Sequence, residues 1–203
     1  MNRKTAQIII LGDGAVGKTA ILKRFHFDTF VEDHMITLGL DFVNRKFTHK
    51  DGSQCTIKLW DTAGQDRFRT LTYSFYKKAD GVILAFDLTE ASSFANLKNW
   101  MESINQHANA GIPMVIVGNK KDLADDRKIT FKEGSDYASN FGLRYFETSA
   151  KTNEGIEEFM HVIMEMTVDA KFTENNPALN RQSHMLNPKQ HRQSKPEEKP
   201  QER

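Results

Sequence analysis

Gly12-Asp13-Gly14-Ala15-Val16-Gly17-Lys18-Thr19 has the spacing G-x-x-x-x-G-K-[ST]. Glycines at that spacing let backbone N–H groups turn inward around phosphate oxygens, and a helix beginning there adds positive potential. Lys18 would supply a point charge for β- and γ-phosphates, and the Thr19 hydroxyl is of the kind that holds Mg2+. The competing reading is an ordinary glycine turn with a surface lysine. The flanks argue against it, because an apolar strand (Gln7–Leu11) precedes the run and a helical pattern (Lys18–Phe27) follows it.

Three further runs carry possible chemistry, and each follows an apolar segment. In Asp61-Thr62-Ala63-Gly64-Gln65, a carboxylate at a strand end can support a metal. Gly64 could bring a backbone N–H close to a γ-phosphate, and Gln65 is suited to orienting a water. In Asn119-Lys120-Lys121-Asp122, the Asp122 carboxylate could accept from N1–H and the exocyclic amine of guanine, a donor pair that adenine lacks. Asn119 could tie this loop to the phosphate loop, and the Lys120 stem could cover one face of the base. Glu147-Thr148-Ser149-Ala150-Lys151 would add a backbone N–H near Ala150, toward the base oxygen. Any one of these runs alone would pass for a charged or polar turn.

The elements needed to position these loops are legible. Short apolar runs alternate with amphipathic ones, the pattern of βαβ units around a mostly parallel sheet. Phe42–Lys50 and Gln54–Asp61 flank Asp51-Gly52, a strong hairpin signal. Gly81–Asp87 and Met114–Asn119 read as buried strands, and Arg144–Thr148 as a shorter one. Helical stretches are expected near 92–109 and 131–141, the second opening with a capping box at Thr130 and Glu133. A last helix from near Asn153 would bury Ile156, Phe159, Met160, Ile163 and Met164 on one face. Cys55 alternates with Ile57 and Leu59 and is expected in the core.

Composition narrows the remaining possibilities. The chain has 203 residues, 28 Lys+Arg, 27 Asp+Glu and one Cys. A net charge of +1 argues against binding nucleic acid through phosphate neutralisation. One Cys excludes an internal disulfide framework and a Cys-built zinc site, and the seven His show no close ligand spacing. No apolar run reaches the ~18 residues of a membrane span, and Met1-Asn2-Arg3-Lys4 leads into a strand, not a signal sequence. These features suggest a soluble, intracellular protein in a reducing compartment. Charge is uneven: residues 171–203 carry +3 and four of the five prolines, while residues 1–170 carry −2. Residues 1–170 therefore read as one domain and 171–203 as a disordered hydrophilic tail.

Taken in order, GDGAVGKT, Thr37, DTAGQ, NKKD and ETSAK resemble a small GTPase of the Ras superfamily over about residues 5–170. Leu38-Gly39-Leu40-Asp41-Phe42, Lys58 through Phe68, Phe75-Tyr76 and Leu84 through Thr89 resemble the Rab branch in particular. The resemblance implies a P-loop NTPase fold: a six-stranded, mostly parallel sheet with one antiparallel edge strand and helices on both faces. It also implies a monomeric switch in vesicle traffic that binds GTP or GDP with Mg2+. Nucleotide contacts are implied for Asp13, Gly14, Ala15, Val16, Gly17, Lys18, Thr19 and Ala20, and for Phe30, Thr37, Gly64, Asn119, Lys120, Asp122, Ser149, Ala150 and Lys151. Metal contacts would come from Thr19, Thr37 and Asp61, and catalysis from Gln65 with Lys18. Two switches, near 32–42 and 62–78, would meet exchange factors, GTPase-activating proteins and effectors. Phe42, Trp60 and Tyr76 would offer an apolar surface to partners, with simple packing the competing role for all three.

Some residues depart from the Rab pattern. Gly14 replaces a common Ser, His34 stands where a larger aromatic is usual, and Lys77-Lys78 replaces Arg-Gly. Residues 171–203 contain none of the prenylated cysteines the resemblance implies, which leaves either a chain continuing past Arg203 or a soluble or partner-recruited variant. Two other functions compete with the GTPase reading. A P-loop ATPase or nucleotide kinase would leave NKKD and ETSAK without a role, and a guanine-nucleotide scaffold would bind without hydrolysing.

Overall fold

The computed structural model describes residues 4–31, 41–62 and 75–172. Thr37, Gly64, Gln65, His34 and the tail beyond Phe172 lie outside these residues. The described strands are β1 (Lys4–Leu11), β2 (Asp41–Thr48), β3 (Gln54–Asp61), β4 (Gly81–Asp87), β5 (Met114–Asn119) and β6 (Arg144–Glu147). They form one six-stranded sheet in the order β2-β3-β1-β4-β5-β6. Only the β2–β3 pair is antiparallel; the other neighbours run parallel. The helices are α1 (Lys18–Phe27), α2 (Ala91–Ala95), α3 (Leu97–His107), α4 (Phe131–Asn140) and α5 (Ile156–Phe172).

Strand alternation divides the core between the two faces. Ala6, Ile8 and Ile10 of β1 join α1 and α5 side chains such as Ile21, Phe25, Phe159 and Ile163. Ile9 and Leu11 face the other way, toward Leu97, Trp100 and Ile104 of α3 and Ala138 of α4. β4 and β5 are buried along their whole length, as parallel strands covered on both sides must be. Cys55 lies in the first core beside Ile57 and Leu59, as the alternation implied.

Local signals explain most element ends. The Asp51-Gly52 turn closes the β2–β3 hairpin with Gly52 at φ 81° and the Ser53 N–H donating to the Asp51 carboxylate at 2.7 Å. Beside this turn, His49 Nε2 meets Asp169 of α5 at 2.9 Å. Thr130 and Glu133 form the capping box that opens α4. The stretch expected as a single helix over 92–109 is instead broken at Asn96 into α2 and α3. The last helix begins at Ile156, after Gly155 at φ 70°, and not at Asn153. It continues through Phe172, two residues into the stretch that composition assigned to the tail. Among the described residues, no helix is long and apolar enough to cross a membrane.

Candidate nucleotide site

Because β1, β3, β4, β5 and β6 run parallel, their carboxyl ends share one edge of the sheet. Leu11, Asp61, Asp87, Asn119 and Glu147 end these strands, so all four sequence motifs emerge there. This edge is where open α/β sheets bind ligands.

The loop between β1 and α1 is pressed against its neighbours. Gly12 has φ +136°, and a Cβ there would fall 2.1 Å from the Ala85 carbonyl oxygen of β4. Gly17 has φ +95°, and its added Cβ would meet the Asn119 amide nitrogen at 2.3 Å. At Gly12 the obstacle is backbone, and at Gly17 another residue would be strained by its φ and would have to displace the Asn119 side chain. Lys18 opens α1 with a relative exposure of 5%. Its ammonium donates to the Gly12 and Asp13 carbonyls at 2.8 and 2.7 Å. Burial pushes its pKa down to about 8, although the nearby Asp61 and Asp13 charges act in the opposite direction. A buried ammonium held by carbonyls gains from an anion placed beside it, and a phosphate would supply that charge.

Thr19 Oγ1 donates to Asp61 Oδ2 at 2.6 Å, bringing a hydroxyl and a carboxylate together from α1 and β3. Both are hard oxygen donors of the type Mg2+ prefers, so the pair fits that ion. Thr62 fixes the exit of β3 by donating its hydroxyl to the Ile10 carbonyl at 2.5 Å.

The loops expected to read the base are tied to this cradle. Asn119, with a relative exposure of 2%, donates Nδ2 to the Val16 carbonyl at 2.9 Å. Its Oδ1 accepts from the Thr148 hydroxyl and the Ala150 N–H at 3.2 and 3.3 Å. One side chain thus joins three motifs, and the Ala150 N–H expected to face the base here points at Asn119. Ser149 Oγ donates to Asp122 Oδ1 at 2.6 Å and orients that carboxylate. Lys120 has φ 69° and places its ammonium 2.6 Å from Asp87 Oδ2, at the end of β4. Phe30 is partly buried against the core around α1.

Several positioning contacts lay beyond sequence reasoning. Arg24 of α1 donates Nε to the Ala150 carbonyl at 2.8 Å and Nη2 to the Lys151 carbonyl at 3.0 Å. Arg127 forks onto both Glu147 oxygens, and Tyr145 donates its hydroxyl to the same carboxylate at 2.9 Å. The Asp13 carboxylate accepts from Asn96 Nδ2 at 2.7 Å and Trp100 Nε1 at 2.8 Å. The one sequence signal for this last contact is a buried tryptophan, whose N–H ordinarily finds an acceptor.

The Ras family model matches residues 7–169. The chain is 36% identical over 191 residues to Ras-related protein Rab-8A of Pongo abelii, covering 93% of this chain and 92% of that protein. It belongs to the Rab small GTPases of the Ras family. Other Rab-type relatives agree. GTP-binding protein yptV2 of Volvox carteri is 43% identical over 153 residues, 75% of this chain and 70% of its own length. Ras-related protein RabC of Dictyostelium discoideum is 39% identical over 160 residues, 78% of this chain and 82% of its own.

On this Rab the apolar face differs from the expected one. Phe42 is exposed and packs its ring on Trp60 at 4.8 Å between centroids. Trp60 in turn meets Phe75 at 5.0 Å, and the Lys58 ammonium sits 4.2 Å from the Phe42 ring centroid. Tyr76 does not belong to this surface: its relative exposure is 1%, and it packs in the core beside Leu84 and Ile104. Of two adjacent aromatics, the second turns inward and Phe75 contacts Trp60.

Proposed function

We propose that the protein binds GTP and GDP with Mg2+ and hydrolyses GTP to GDP and phosphate, acting as a switch in vesicle traffic through GTP-dependent effectors. The observation that carries this reading is the meeting on one sheet edge of a phosphate cradle tied by Asn119 to the Thr148–Ala150 loop, a hydroxyl–carboxylate pair and an oriented acidic side chain. Lys18 would neutralise the β- and γ-phosphates in a site that excludes water from its ammonium. Thr19 and Asp61 would hold Mg2+, which when bound would supply positive charge against the charge developing in phosphoryl transfer. Asp122, steadied by Ser149, would accept from the guanine edge. Thr37 and Gln65 would complete the γ-phosphate end, the first by closing over it and the second by orienting water.

Turnover without an activating partner should be slow, about 10⁻⁴ to 10⁻² s⁻¹, because little more than positioning is supplied. Replacing Gln65 with Leu removes the group that orients water and should slow single-turnover phosphate release by about tenfold or more. GDP affinity should stay the same, since that residue does not hold the diphosphate. A Gln65→Leu protein releasing phosphate at the normal rate would show that another group orients the water.

A further inference from the structure

The Asp13 carboxylate is an odd neighbour for a site that binds phosphate. It sits in the cradle, and its negative charge would oppose an incoming triphosphate if it turned toward the ligand. It does not turn that way. Asn96 Nδ2 holds Oδ2 at 2.7 Å, and Trp100 Nε1 holds Oδ1 at 2.8 Å. The two donors are four residues apart, so the start of α3 and the residue before it present both to one carboxylate.

Asn96 gives up its usual local task to do this. It stands between α2 and α3, where an Asn side chain ordinarily accepts from a backbone N–H of the following turn. No such cap bond is made at the start of α3. The side chain points across to residue 13 as a donor, and the break between the two helices sets its direction. Trp100 is buried, and its indole N–H is also directed at Asp13. Neutral donors are the appropriate choice here. They satisfy the carboxylate without adding a cation that would compete with Lys18 for phosphate.

We propose that Asn96 and Trp100 are positioning residues for the phosphate loop, clamping the Asp13 carboxylate away from the nucleotide and from the Lys18 ammonium. The proposal rests on the reading that this loop binds guanine nucleotide. When the clamp opens, the carboxylate is free to pair with Lys18, whose Nζ already bonds the carbonyl of the same residue at 2.7 Å. That pairing occupies the ammonium and places negative charge beside the phosphates.

The test is a double-variant cycle on the full chain, read as dissociation of fluorescent GDP in Mg2+. Trp100→Phe keeps an aromatic side chain, though a smaller one, and removes the N–H; Asn96→Ala provides a second, less buried probe. Each should speed GDP dissociation roughly tenfold, the size of one lost charge-assisted hydrogen bond. Asp13→Ala removes the group the clamp restrains, so adding Trp100→Phe to it should change the rate no further. Rates that multiply in the double variant would mean that Trp100 acts through packing alone and would overturn the clamp. Unchanged dissociation in both single variants would overturn it as well. Failure of the unaltered chain to hold GDP would instead remove the nucleotide reading, and the clamp with it.

Discussion

Replacing Asp122 with Asn should move the base preference from guanine to xanthine. On the proposed reading the carboxylate would offer two acceptors to the guanine edge, where N1–H and the exocyclic amine are both donors. Asn keeps one acceptor and substitutes an N–H for the other, so a donor would face a donor. Xanthine carries an oxygen in place of the amine and matches the new amide. Ser149 can still donate to the Asn oxygen as it does to Asp122 Oδ1, so the side chain should hold its orientation. Two unpaired groups at about 2 kcal/mol each give about 4 kcal/mol, or on the order of 10³-fold against GDP. Competition of GDP and XDP for the variant measures this directly. An unchanged preference for GDP would remove Asp122 from base recognition.

Replacing Lys18 with Met should separate nucleotide affinity from the stability of the fold. Two charge-assisted contacts to phosphate oxygens would be lost, at about 1.5–3 kcal/mol each, so GDP affinity should fall by roughly 10² to 10⁴. The nucleotide-free protein should not be destabilised in proportion. Burial holds the Lys18 pKa down to about 8, so the folded chain bears a cost for keeping this ammonium charged at neutral pH. Met occupies similar volume without that cost, which offsets the loss of bonds to the Gly12 and Asp13 carbonyls. Calorimetric unfolding with and without GDP should show a midpoint that no longer rises with nucleotide. A collapse of the nucleotide-free form would mean that Lys18 is chiefly structural.

How much of this was legible in the sequence depends on the range of the interaction. GDGAVGKT could be read because glycine freedom, a lysine and a hydroxyl at fixed spacing all act within one loop. The observed φ at Gly12 and Gly17 supplies the reason for two of those glycines. The sheet was legible because β4 and β5 are continuous apolar runs and β3 alternates. What escaped depended on distance or on direction. Asp13 occupies a variable position in the loop pattern, and its partners lie 83 and 87 residues further along. The break at Asn96 has neither Gly nor Pro to announce it. Phe75 and Tyr76 are adjacent aromatics, and only packing decides which of them faces the core. Arg24, in the last turn of α1, reaches carbonyls more than a hundred residues away, a partner no local pattern announces.

These contacts make the site one connected object. Asn119 links the β1–α1 loop to the loop after β6, Thr19 links α1 to Asp61, and Asp13 links the β1–α1 loop to α3. A nucleotide bound there would touch the ends of four parallel strands at once. Loss of a γ-phosphate could then be felt beyond the cradle through side chains already in contact.

The central claim is a guanine-nucleotide site, and equilibrium competition tests it most directly. Fluorescent GDP bound to the purified full chain in Mg2+ would be displaced by GDP, ADP or XDP. GDP should displace it at concentrations at least about 10³-fold below those required of ADP or XDP, as an edge read by buried hydrogen bonds demands. Equal displacement by ADP and GDP would contradict the account.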